Sequence, residues 1–297
     1  LPPQQVLKED VNNLYNNLEY HLDANHLLEN AFALYYAAHI YPREKRLIKK
    51  GVSLLKKELK EQLLKDGAHY ERSYMYHNIL LNKVLESISI SQNNPYEWNK
   101  EILKILIETA EKMLGWSKLI SFNGRVFPRF GDSIESQCHP YLSLEDFAKQ
   151  LQINNSNQVN LKESRYRLFN TGEIQTIINL GIPSPKHQPA HSHADSFAFE
   201  LNHDLQPIIV NPGISTYEVS TTRLSERGTR NHNTININGK NSSDIWSSFR
   251  VGKRAKITIE EDSPTYIKAK QNGYDDRNIS IYRSWEMSKN SIVIKDW

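Results

Sequence analysis

YRLFNTGEIQTIINL, residues 166–180, is where the reading of this chain turns. Apolar and polar side chains alternate here, over 166–169 and again over 175–180. The alternation persists downstream, with candidate strands at 196–201, 208–210, 234–237, 255–260, 266–271, 279–285 and 292–294. No helical pattern separates these segments, so they are expected to pair antiparallel.

Upstream the period is different. Leu27, Leu28, Ala31, Leu34, Tyr35 and Ala38 recur at helical spacing, as do Leu47, Ile48, Gly51, Leu54, Leu55 and Leu59. A third helix is predicted over about 74–90 and a fourth over about 97–119. Tyr41-Pro42, Asp66-Gly67 and Asn93-Asn94-Pro95 supply the turns between them. Residues 143–152 predict a short helix with Ser143 as its N-cap, and Asn154-Asn155-Ser156-Asn157 reads as a polar linker. The expected organisation is α+β: a helical domain over 1–120, a linking region over 121–160, and an antiparallel β-sheet domain over 161–297. The chain ends directly after a candidate strand, and we read it as part of a longer protein.

Composition narrows the function. The 297 residues carry a mixed net charge of +3, which does not argue for a nucleic-acid partner and would not repel an acidic one. Cys138 is the sole cysteine, so an intramolecular disulfide is excluded. No apolar run is long enough for a membrane span, and the opening LPPQQVLKEDV is not a signal peptide. Fifteen Tyr and five Trp suit a sugar-binding surface as well as ordinary core packing.

Three clusters carry candidate chemistry. Asn25 and His26 open a helix, whose N-terminal amides favour an anion, although Asp23 or Asn25 would serve equally as a plain cap. Residues 66–77 crowd His69, Tyr70, Glu71, Arg72, Tyr74, Tyr76 and His77 between two helices, fitting either a functional loop or a surface ion pair with core tyrosines. In His191-Ser192-His193-Ala194-Asp195, extended backbone would put His191, His193 and Asp195 on one face. With His232 farther on, such histidines suit a zinc site or a structural pair.

Taken in order, Asn25-His26, the 71–77 stretch, the 191–195 stretch, Asn211-Pro212-Gly213 and Arg230-Asn231-His232-Asn233-Thr234 resemble the heparinase II/III-like polysaccharide lyases. The resemblance implies an incomplete (α/α) toroid followed by stacked antiparallel sheets of β-sandwich type. It implies a carbon–oxygen lyase that cleaves uronic-acid-containing polysaccharides, such as heparan sulfate, heparin or alginate, by β-elimination in the periplasm or outside the cell. On that basis Asn25 matches the carboxylate-binding Asn and Tyr76 the acid, with Tyr74 the alternative at that spacing. His191 matches the catalytic His, and Tyr217 is a second cleft Tyr. His26, Arg72, Tyr74, His77 and Arg230 are candidate substrate contacts, as are Arg223 and Arg227. His193 and His232 match two ligands of a structural zinc, whose third ligand is normally an Asp. This chain has Asn211 there, which leaves either Asp195 as a substitute or an empty, hydrogen-bonded site, and no organic cofactor is implied.

Two other classes stay open. A glycan-binding or polysaccharide-assembly protein of the same fold would bind without cleaving. A metal-dependent hydrolase would use the His-x-His-x-Asp spacing at 191–195, although Ser196 stands where the metallo-β-lactamase pattern has another His.

Overall fold

A computed structural model describes residues 3–156 and 159–297. Asn157, the end of the predicted linker, lies outside the described residues. The helices are α1 (Pro3–Asn16), α2 (Ala24–Ile40), α3 (Lys45–Gln62), α4 (Tyr74–Asn93), α5 (Lys100–Ile120) and α6 (Tyr141–Gln150). Helix α2 is apolar nearly all round and buries Leu27, Ala31, Leu34 and Ala38 completely. Helix α3 is one-sided, with Leu47, Leu54, Leu55 and Leu59 inward and its lysines outward. A Cβ on Gly51 would lie 3.0 Å from the backbone carbonyl carbon of Leu34, so that glycine sets how closely α2 and α3 approach. Ser143 is not an N-cap. Helix α6 begins two residues earlier, after Pro140, whose φ of −66° and missing N–H suit a helix start.

The sheet half contains β1 (Tyr166–Asn170), β2 (Ile174–Asn179), β3 (Phe199–His203) and β4 (Gln206–Ile209), then α7 (Thr221–Arg227). A short hairpin follows, β5 (Ile245–Trp246) with β6 (Arg250–Val251). The last strands are β7 (Ile257–Asp262), β8 (Tyr266–Tyr274), β9 (Ile279–Met287) and β10 (Ile292–Asp296). Two antiparallel four-stranded sheets result, ordered β1-β2-β3-β4 and β10-β9-β8-β7. Phe169, Ile178 and Phe199 of the first sheet meet Ile267, Ile281 and Trp285 of the second in one apolar core. This alternation of inward apolar side chains is the period-two pattern of the sequence.

The predicted strand at 234–237 does not form. Asn233 takes the place of a ladder: its Oδ1 accepts from Phe199 N at 2.8 Å and its Nδ2 donates to Phe199 O at 2.6 Å. Helix α7 and the β5–β6 hairpin, neither signalled by a long periodic run, lie on either side of that segment.

A third cluster fastens the halves together. Trp116, Phe122 and Phe130 from the helical side pack with Tyr166, Ile177 and Ala198 from the sheet side. Trp116 Nε1 donates to Ser164 Oγ at 3.0 Å, and Ser164 donates through both N and Oγ to Asp66 Oδ2 at 2.7 Å. These buried bonds fix the walls of whatever lies along the seam.

Candidate functional site

A cavity of about 1060 Å³ opens along that seam. Asn25 and His26 reach it from the start of α2, Tyr76 from the first turn of α4, and His191 and Tyr217 from loops of the sheet half. The four predicted catalytic residues, Asn25, Tyr76, His191 and Tyr217, therefore share one space.

Local structure explains each position. Ser73 caps α4 by accepting from Tyr76 N at 3.3 Å, while its own hydroxyl donates to Asp132 O at 2.5 Å. Tyr76 is thereby tied to the 127–133 loop. Its hydroxyl lies 3.0 Å from that of Tyr217, and its ring centroid 4.1 Å from that of His191. Gly213 has φ of +62°, and a Cβ there would collide with Ser133 O, so this glycine lets the Tyr217 loop lie against the same segment. Burial and the neighbouring Tyr217 push the Tyr76 phenol far above its ordinary value, and burial pushes Tyr217 up to about 12. Both rest protonated.

Asp132 was not anticipated, and it organises the site. Its carboxylate is fully buried. It accepts from His191 Nδ1 at 2.9 Å and His193 Nε2 at 2.8 Å, and from both Nη atoms of Arg223 at 2.6 Å. Burial alone would raise this carboxyl. The hydrogen bonds from His191, His193 and Arg223 win and hold it far below the usual range. An ionised carboxylate only accepts, so His191 carries its proton on Nδ1. Nε2 then has no protein partner among the described residues and is left for the cavity.

The other predicted contacts divide. His26 stands at the rim, exposed, with Nδ1 3.7 Å from Glu19. Tyr74 is buried edge-on against Phe127, because two residues along a helix turn a side chain about 200° away from Tyr76. His77 is buried against Trp116, accepting from His69 N and donating to Met113 O. Burial lowers its imidazole to about 3. Arg72 turns inward toward Ser164 O and against Gly181, away from the cavity. Arg230 is exposed and outside the lining. Tyr74, His77, Arg72 and Arg230 are thus removed as cavity contacts. So are Arg223 and Arg227, both buried. Arg227 clamps the carbonyls of Ala190, Ser192 and Ser247.

The segment 191–195 is not extended but looped, so its three residues do not share a face. His191 faces the cavity, His193 points inward, and Asp195 accepts from Asn179 Nδ2 at 2.9 Å. A metal held jointly by this His-x-His-x-Asp stretch does not fit, nor does Asp195 as a substitute ligand. His193 and His232 are close, with ring centroids 5.3 Å apart, and His232 Nδ1 lies 3.1 Å from Asn211 Oδ1. His193 Nδ1, His232 Nε2 and Asn211 Nδ2 are buried with no hydrogen-bond partner.

The opposite wall was also missed. Trp246 and Arg250 are cross-strand partners on the β5–β6 hairpin, and both line the cavity with Phe249 and Arg254. Trp246 is 57% exposed, so its ring is open to a flat ligand. The signal was present in Trp246-Ser247-Ser248-Phe249-Arg250, but too short to read as a hairpin.

Comparison with known proteins agrees with a helical half followed by a sheet half. Residues 6–159 match the heparinase II/III N-terminus model and residues 154–297 the heparinase II/III-like C-terminal model. A curated heparin-sulfate lyase of Bacteroides stercoris is 24% identical over 284 residues, covering 84% of this chain and 41% of the relative. Among solved structures, heparinase III superposes with a TM-score of 0.76 at 19% identity, over 97% of this chain and 49% of that one. The heparan sulfate lyase HepC of Pedobacter heparinus gives 0.71 at 18%, over 97% and 47%. The chain spans about half the length of these relatives. With helices and sheets arranged as in those structures, and family models matching along its length, the chain belongs to the heparinase II/III-like family.

Proposed function

We propose that this protein is a polysaccharide lyase that cleaves a uronate-containing polymer by β-elimination. The observation that carries the reading is the meeting of Asn25, Tyr76 and His191 on one cavity, from opposite sides of the seam. Arg250 and Arg254 also line the cavity, and Arg250 suits an anionic chain, whereas Arg254 already donates to the carbonyls of Pro183, Pro185 and Lys186. Similarity to a heparin-sulfate lyase supports the same substrate class. A polymer of that size meets its enzyme outside the cytoplasm, and we place the protein there.

The chemistry follows from the groups. Asn25 donates to the uronate carboxylate, where negative charge builds as C5 loses its proton. His191 Nε2 takes that proton. The electron pair forms the C4–C5 double bond, and the C4–O4 bond breaks. Tyr76, protonated at rest, gives its proton to the departing O4 and regains one from His191. Tyr217 stabilises the transient phenolate through the 3.0 Å hydroxyl contact. Trp246 stacks on a neighbouring sugar while Arg250 meets its charge. The test is absorbance from the new double bond on incubation with heparan sulfate, heparin, alginate and other uronic polymers. No rise on any of them would end the proposal.

We infer further that zinc binds weakly here. His193 Nδ1 and His232 Nε2 are buried and unpartnered on rings 5.3 Å apart, which suits zinc, but the third residue is the neutral amide of Asn211, whose Oδ1 already meets His232 Nδ1. A zinc held there would brace the loops carrying these residues. No catalytic step needs it. Asn211→Asp is expected to give one tightly held zinc per chain and a higher melting temperature in zinc, read by metal content after dialysis. Equal zinc content in both proteins would contradict this.

A further inference from the structure

An acidic residue on the wall of a cavity for an anion is a contradiction that needs resolving. Glu71 is 5% exposed, lines the cavity, and accepts from Asn25 Nδ2 at 2.9 Å through Oε2. Resting on the uronate reading above, we propose that Glu71 meets the sugar carboxylate as a neutral acid, donating an Oε1–H hydrogen bond beside the one from Asn25.

Geometry argues for it. Among the described residues no Lys or Arg side-chain nitrogen lies within 4.0 Å of the Glu71 carboxylate. Its single close basic neighbour is His69 Nδ1, at 3.9 Å. His69 is wholly buried, and burial, with His77 nearby, keeps its imidazole neutral. An ionised Glu71 would therefore face a uronate carboxylate with nothing between the two charges, and two carboxylates sharing a site cannot both ionise. Burial already pushes the Glu71 carboxyl upward, against the opposing pull of His191 and the Asn25 hydrogen bond. Oε2 is occupied by Asn25, whereas Oε1 has no hydrogen bond among the described residues. A proton on Oε1 and the second N–H of Asn25 make two adjacent donors, able to address the two oxygens of one carboxylate. The surrounding groups that bear on this are Asp23 and Asn25 at α2, His69 and Tyr70 on its own loop, Tyr76 on α4, Asp132, and His187 and His191 from the sheet half. No proton leaves the complex: it stays between the two carboxyl groups, which carry one negative charge in place of two.

The proposal predicts proton uptake on binding. Calorimetry of an unsulfated glucuronate-containing tetrasaccharide, in two buffers of different ionisation enthalpy, reads the number of protons taken up. Above the pH at which free Glu71 ionises, uptake should approach one per site in the wild type. It should fall by that amount in Glu71→Gln, and be absent for the carboxyl-reduced tetrasaccharide. Proton uptake alone does not name the group that takes the proton, so a second reading is needed. In protein labelled with 13C-glutamate, the infrared difference spectrum should gain a protonated-carboxyl band that shifts with the label, a signature no imidazole gives. Equal uptake in wild type and Glu71→Gln, no labelled band, or no binding of the tetrasaccharide would overturn the proposal. Uptake and band without cleavage of any polymer would leave Glu71 as assigned and remove the lyase reading alone.

Discussion

Asp132→Ala is expected to cost about 3–5 kcal/mol of stability, the range for removing one partner of a buried ion pair. Arg223 is fully buried and has both Nη atoms on Asp132. Without that carboxylate it keeps only the carbonyl of Ser248. Two buried imidazole N–H groups lose their acceptor in the same step. The sign with pH is fixed by the depressed carboxyl of the folded state. Its contribution is fully present above the unfolded carboxyl value of about 3.9 and is lost as pH falls through the lower folded value. Urea unfolding near neutral pH and in acid should therefore show the wild type converging on the variant as pH drops. A loss under about 1 kcal/mol at neutral pH would mean that the site relaxes around the missing group. Activity should fall as well, because His191 loses the partner that fixes its tautomer.

How much of this was legible in the chain depends on the range of the interaction. Helices α2 to α5 and most strands were legible because their signal is local: apolar side chains at a period of 3.6 or 2 report which face is covered. Residues 234–237 show the failure, since one Asn side chain made the bonds a strand partner would have made. Asn25, Tyr76, His191 and Tyr217 were found through the order of family-like stretches, not through spacing. Adjacency within a stretch misled in turn. Arg72, Tyr74 and His77 sit beside Tyr76 in sequence, yet helix rotation and burial aim them elsewhere. Asp132 was illegible for a different reason. Its partners lie 59, 61 and 91 residues away, and a Gly-Asp pair in a loop has no periodicity to betray them. Arg223 and Arg227 read as substrate contacts, and only the acceptors that the fold brings to them from distant segments make their burial tolerable.

Tyr76→Phe should lower kcat by about 10²- to 10⁴-fold, the usual worth of a positioned acid, with little change in KM. The substitution keeps the ring against His191 and the backbone bond to Ser73, so the cavity wall and α4 should survive. What disappears is the proton that O4 needs as it departs. Without it an alkoxide must leave into a half-buried site, against a barrier the hydroxyl had removed. The loss should not reach the uncatalysed rate, because Tyr217 places a second hydroxyl 3.0 Å from the missing one. Tyr217→Phe alone should cost less than Tyr76→Phe. The double variant should fall further than Tyr76→Phe does, and the two effects should not add, since each phenol covers in part for the other. Initial rates of double-bond absorbance across substrate concentration separate kcat from KM. A Tyr76→Phe enzyme keeping more than about a tenth of wild-type kcat would give up less than the 1.4 kcal/mol that one decade represents. The acid would then have to be sought in Tyr217.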